Sequence, residues 1–137
     1  MQKIFTTGYG GKDINDLKPM LEALDALLID IRFVPHSEIL HWRKMYLKVL
    51  LGRRYLHVVN LGNRTFREQK ITIQNLNLGL ETVLNLKENA VLMCGCEHLE
   101  SCHRRVIAQE LEKRGIKTED LKDWKKFQPR KKLFGLF

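Results

Sequence analysis

Two uninterrupted apolar runs constrain this chain more than any other feature. Ala26-Leu-Leu-Ile-Asp-Ile31 and Asn89-Ala-Val-Leu-Met-Cys94 lack the polar–apolar alternation of a strand with one wet face. Runs this short and continuous suit strands covered on both sides, as in parallel sheets. Parallel neighbours need a crossover connection, usually a helix, and the intervening sequence supplies helical patterns. Ile14, Leu17, Leu21 and Leu24 recur at helical spacing behind Asp13, a candidate N-cap, with Pro19 placed to kink the helix or delay its start. Residues 41–51 form a second helical segment that stops at Gly52. Residues 71–87 carry Ile73, Leu76, Leu80, Val83 and Leu84 on one face, and residues 102–114 carry Val106, Ile107, Ala108 and Leu111 before Gly115. Residues 3–7, 54–59 and 116–121 read as the remaining strands. This alternation predicts an α/β chain: a three-layer Rossmann-like domain over residues 1–121, with a mainly parallel sheet of about five strands.

Composition narrows the functional classes. No apolar run approaches the roughly 20 residues of a membrane span, and Met1-Gln2-Lys3-Ile4-Phe5 runs straight into a strand pattern, so neither a transmembrane helix nor a signal peptide is expected. The three cysteines, Cys94, Cys96 and Cys102, are an odd number crowded into one segment. That is a poor disulfide framework and suits a reducing cytoplasm, where thiols serve as ligands, nucleophiles or packing groups. The net charge of +8 is concentrated in residues 122–137, where Lys122, Lys125, Lys126, Arg130, Lys131 and Lys132 face Asp123 alone. Such a basic tail can contact phosphates through counterion release or remain a solvated segment. It ends in Leu133-Phe-Gly-Leu-Phe137. This terminus is similar to the short peptides that dock into bacterial sliding clamps, without their leading glutamine; folding back onto the body is the competing expectation.

Ligands of open α/β sheets bind beyond the carboxyl ends of the strands, and the unusual residues gather there. Thr7-Gly8-Tyr9 follows the first strand; Asp30 and Arg32, with Pro35 and Ser37, follow the second; Cys94 ends the fourth. The segment Cys94-Gly-Cys-Glu-His-Leu-Glu-Ser-Cys102-His103-Arg104-Arg105 then leads into a helix. A cysteine at a helix start has its thiolate favoured, and the same helix end can hold an oxyanion clamped by Arg104 or Arg105. His103 is a candidate acid, base or donor. These features predict Cys102, His103, Arg104, Asp30 and Arg32 as catalytic residues. Thr7, Gly8, Tyr9, Pro35, Ser37 and Cys94 are expected around the substrate.

Taken in order, Thr7-Gly8-Tyr9, Asp30-Ile31-Arg32 with Pro35 and Ser37, Leu61-Gly62, and Cys94 followed eight positions later by Cys102-His103-Arg104 resemble the family called Domain of Unknown Function 488. The match spans most of residues 4–121. The resemblance implies a Rossmann-like domain with the cysteines at its site, and no defined reaction. Many members of that family carry glutamate two positions after the first cysteine, where this chain has Cys96.

Three readings of the segment compete. The first is a cytoplasmic enzyme acting through a thiolate on an anionic, phosphate-bearing or nucleotide-like substrate, with no cofactor expected. A protein tyrosine phosphatase loop is excluded by spacing. The second is a zinc site formed by Cys94, Cys96, Cys102 and His98 or His103. The third is packing and ion pairing alone, which suits Cys94 best. Nucleic acid, bound without turnover through the basic tail, is the non-enzymatic alternative, and no membrane partner is expected.

Overall fold

The two apolar runs become the middle of a five-stranded sheet. The computed structural model describes residues 1–129. Its strands are β1 (Ile4–Gly8), β2 (Ala26–Asp30), β3 (Tyr55–His57), β4 (Asn89–Cys94) and β5 (Thr118–Asp120), all parallel, in the spatial order β3-β2-β4-β1-β5. Successive residues of a strand point to opposite faces, and β2 and β4 feed two cores accordingly. Leu27, Ile29, Ala90, Leu92 and Cys94 pack with Leu80, Val83, Ile107 and Leu111 on one side. Ala26, Leu28, Val91 and Met93 pack with Leu17, Met20, Leu21, Leu47 and Leu51 on the other. Helices α1 (Leu17–Leu24) and α2 (Lys44–Leu51) therefore cover one face, and α3 (Leu76–Leu86) and α4 (Arg104–Lys113) the opposite one.

This arrangement positions the site. The chain moves across the sheet in one direction through α1 and α2 and returns through α3 and α4. Right-handed crossovers place helices of opposite travel on opposite faces. The connection leaving β4 thus diverges from those leaving its neighbours β1 and β2, and a crevice opens at the carboxyl end of β4.

The element boundaries depart from the sequence expectation where tertiary contacts decide them. A 3₁₀ turn, Ile14–Asp16, is capped by the Asp13 carboxylate, which accepts from the Asn15 N–H at 2.9 Å; α1 follows it. Pro19 thereby falls in the first turn of α1, where its missing N–H breaks no helical bond, so the start is late rather than the helix kinked. Likewise α2 starts at Lys44 because Trp42 is drawn into the core, within a separate turn Leu40–Trp42. Residues 71–75 stay outside α3, whose cap is Asn75; Ile73 instead bridges to Asn63. No helix among the described residues is long and apolar enough to cross a membrane.

The packed body also continues past the boundary expected at residue 121. Trp124 is fully buried and donates its Nε1–H to Thr7 Oγ1 at 2.8 Å. Lys125 pairs with Asp16 at 3.1 Å, Phe127 packs against the second core, and Gln128 bonds the Asp16 carboxylate. The sequence of 122–128 looks like basic tail because its charged residues outnumber its two anchors. The Leu133–Phe137 segment and the clamp expectation attached to it lie outside the described residues.

Candidate thiol and anion site

A cleft of about 790 Å³ lies at the carboxyl end of β4. Tyr9 reaches it from β1, Arg32, Phe33 and His36 from β2, Cys94 and Cys96 from β4, and His103 and Arg105 from the start of α4. A further wall comes from the connection between β3 and α3, with Asn63, Phe66, Lys70 and Ile71.

Arg32 is the best-built polar group of this cleft. It is 7% exposed and held in a fork by fully buried Asp30, with Nε–Oδ1 at 2.9 Å and Nη2–Oδ2 at 2.7 Å. The Tyr55 hydroxyl donates to the same carboxylate at 2.6 Å. Burial, and then the neighbouring Asp30, push the Tyr55 pKa well above that of a free phenol, so it stays a donor. Burial opposes the Arg32 charge, but hydrogen bonding and attraction from Asp30, aided by Tyr9, outweigh it and raise its pKa. Nη1 makes only long contacts, to the Tyr9 hydroxyl at 3.3 Å and the His36 carbonyl at 3.4 Å. Among the described residues the second Nη2 proton has no acceptor. The Tyr9 ring is itself fixed, stacked on Trp42 at 4.5 Å.

The side chains of the three consecutive residues Cys102, His103 and Arg104 point in three directions. Cys102 is fully buried beside Cys94 in the core. His103 turns toward β2, and its Nε2 contacts the Ile31 carbonyl at 2.8 Å. A carbonyl can only accept, so Nε2 carries the proton and Nδ1 is left as an acceptor, 3.8 Å from Cys102 Sγ. Burial, the largest influence, holds the His103 pKa below the ordinary histidine value, which keeps the ring neutral. Arg104 turns away to β5 and is 1% exposed. Its guanidinium is committed to the fold: Nε to Asp120 at 2.9 Å, Nη1 to the Cys96 carbonyl at 2.9 Å and Cys94 Sγ at 3.3 Å, and Nη2 to the Glu97 carbonyl at 3.2 Å. At the helix start the Arg105 and Val106 N–H groups turn back onto the Cys102 and His103 carbonyls.

The other expected residues divide similarly. Tyr9 and Cys94 line the cleft, whereas buried Thr7 binds the Leu121 carbonyl and Trp124. Gly8 is needed for close approach: a Cβ there would overlap the Cys96 carbonyl. Gly62 plays the same part between the loops after β2 and β3, since its Cβ would lie 2.5 Å from Phe33 Cα. Pro35 and Ser37 shape the turn before α2 by accepting from Lys44 N and Arg43 Nε. Phe66 and Lys70 were not foreseen as cleft residues. A length signal could have found them, because a connection as long as that between β3 and α3 is uncommon unless it serves a site.

Cys94 and Cys102 bring their sulfurs into contact, yet their Cα atoms are 7.7 Å apart. Disulfides ordinarily join Cα atoms closer than about 7 Å, so this backbone spacing is wider than a disulfide spans. Cys96 Sγ lies near them, all three sulfurs being within 4.8 Å of one another.

No family model, curated protein or solved structure matches this chain.

The neutral state of His103 has a measurable consequence. A base whose folded pKa is lowered contributes its stability above the unfolded pKa and loses it as pH falls. Urea unfolding is therefore expected to show stability declining below about pH 6.5, with a slope of up to ~1.4 kcal/mol per pH unit from this group. His103→Gln should flatten that part of the profile. An unchanged slope in the variant would assign the decline elsewhere.

Proposed function

We propose that this chain is an enzyme that binds a phosphate-bearing, nucleotide-like ligand in the cleft beyond β4 and uses the sulfur groups at the cleft floor as its reactive centre. The observation that carries the reading is that Arg32 and the Cys94–Cys96 turn open into the same cleft at a topological switch point. Arg32 is preorganised by Asp30 and has donor capacity to spare, as an anion clamp requires. Lys70 and Arg105 add positive charge, against Glu68 and Glu100 on the same walls. That balance suits one phosphoryl group better than a polyphosphate. Phe33, Phe66 and Ile71 supply an apolar wall for a ring such as a base. The four segments that carry the resemblance to Domain of Unknown Function 488 all meet at this end of the sheet, which supports placing the chain in that family.

Calorimetric titration with a panel of nucleoside 5′-monophosphates, and with inorganic phosphate alone, tests the ligand class. At least one mononucleotide should bind more tightly than phosphate. Arg32→Lys keeps the charge but loses the fork, and should weaken binding by about tenfold or more. Bound ligand should also slow alkylation of Cys96, the partly exposed thiol. If no member of the panel binds at millimolar concentration, or if Arg32→Lys binds as tightly as the parent, the proposal fails.

A further inference from the structure

We propose that Cys94, Cys96 and Cys102 form a three-thiolate site for a zinc ion, with the fourth coordination position opening on the cleft. The inference rests on sulfur geometry and does not require the cleft to bind phosphate. The three sulfurs already lie within 4.8 Å of one another. Around a tetrahedral zinc, with Zn–S bonds of about 2.3 Å, thiolate sulfurs sit roughly 3.8 Å apart. Reaching the second arrangement would take rotation about the Cα–Cβ bonds that parts the Cys94 and Cys102 sulfurs around the ion. The 7.7 Å separation of the Cys94 and Cys102 Cα atoms exceeds the reach of a disulfide and suits two thiolates bridged by an ion.

The backbone holds the three ligands from both ends. Cys94 closes β4, Cys102 lies just before His103, the N-cap of α4, and Cys96 sits in the connection between them. That connection is anchored by Arg104 through the Cys96 and Glu97 carbonyls, and the Cys96 side chain already packs against the core that holds Cys94 and Cys102. Arg104 also supplies the outer support that thiolate sites use, donating from Nη1 to Cys94 Sγ at 3.3 Å. Three thiolates and Zn²⁺ carry a net single negative charge, which the Arg104 guanidinium, shared with Asp120, faces through Cys94. Cys94 and Cys96 line the cleft whereas Cys102 is fully enclosed, so the ion would be reached from the cleft side. Zinc bound there would supply a Lewis acid to a ligand held in the cleft. Soft sulfur donors favour zinc or copper(I) over magnesium or calcium, and the competing ion is an arm of the test.

The full chain, purified under a thiol reductant without chelator, should contain about one zinc per chain by elemental analysis. Cobalt(II) should replace it and give a thiolate-to-cobalt charge-transfer band together with the intense visible bands of a tetrahedral ion. Cys96→Ser leaves both core thiols in place, and should weaken zinc by more than the roughly 100-fold that outer-shell changes produce. Cobalt spectra without sulfur charge transfer, three freely titratable thiols in the zinc-saturated native protein, or undiminished affinity in Cys96→Ser would each overturn the site. Tighter binding of copper(I) with displacement of zinc would overturn the choice of ion. The cobalt spectrum of the parent chain needs no variant, so a folding defect in Cys96→Ser cannot decide the question. Mononucleotide binding measured on the same samples separates the two proposals: it would persist if only the metal site is wrong.

Discussion

Replacing Trp124 by alanine is expected to lower the unfolding free energy by about 3–5 kcal/mol, the usual cost of emptying a large aromatic site in a core. The indole is 1% exposed, donates to Thr7 Oγ1 at 2.8 Å, and meets Trp42 edge-on at 6.0 Å. Its removal withdraws support from Trp42, which in turn backs Tyr9 in the cleft. Trp124→Phe separates the contributions: it keeps much of the packing but not the hydrogen bond, and should cost about 1–2 kcal/mol. Urea denaturation checks both. A Trp124→Ala protein as stable as the parent would mean that the body ends near residue 121 after all.

Arg104→Met is expected to cost a similar 3–5 kcal/mol, for a different reason. Removing one partner of a buried ion pair leaves the other without compensation. Here Asp120, 10% exposed at its side chain, would lose its partner, and the Cys96 and Glu97 carbonyls would lose their donors. Lysine restores the charge but not the planar fork, so Arg104→Lys should recover less than half of the loss. The second readout is local. With the turn released, backbone amides of residues 95–101 should exchange faster than in the parent at matched global stability. Unchanged exchange there would show that Arg104 stabilises the chain without ordering the turn.

The sheet was legible in the sequence because its signal is local. A strand buried on both faces must be apolar throughout, and β4 emerges as Asn89–Cys94, the run from which it was read. The late start of α1 was one of the two outcomes read from Pro19, whereas those of α2 and α3 were not legible, because tertiary contacts decide them, as Trp42 reaching Tyr9 shows. The site followed the same rule. That polar residues meet at the strand ends follows from topology alone. What each one does there depends on direction: the backbone passes from extended at Cys102 to helical at His103 and Arg104, and the three side chains face the core, β2 and β5 respectively. A motif that reads as one unit along the chain is three separate devices in space. Asp30 and Arg32, two apart on a strand end, point the same way, and their pairing could be read from spacing. The wall formed by Asn63, Phe66 and Lys70 could not, since nothing in that polar stretch says which strand end it will cover.

Arg104 grips position 96 by its carbonyl oxygen. An anchor of that kind is indifferent to residue type. The scaffold can therefore exchange the group it presents to the cleft, a carboxylate for the thiol, without rebuilding the turn. Position 96 is in effect an interchangeable socket, and substitutions there should alter chemistry while leaving architecture alone.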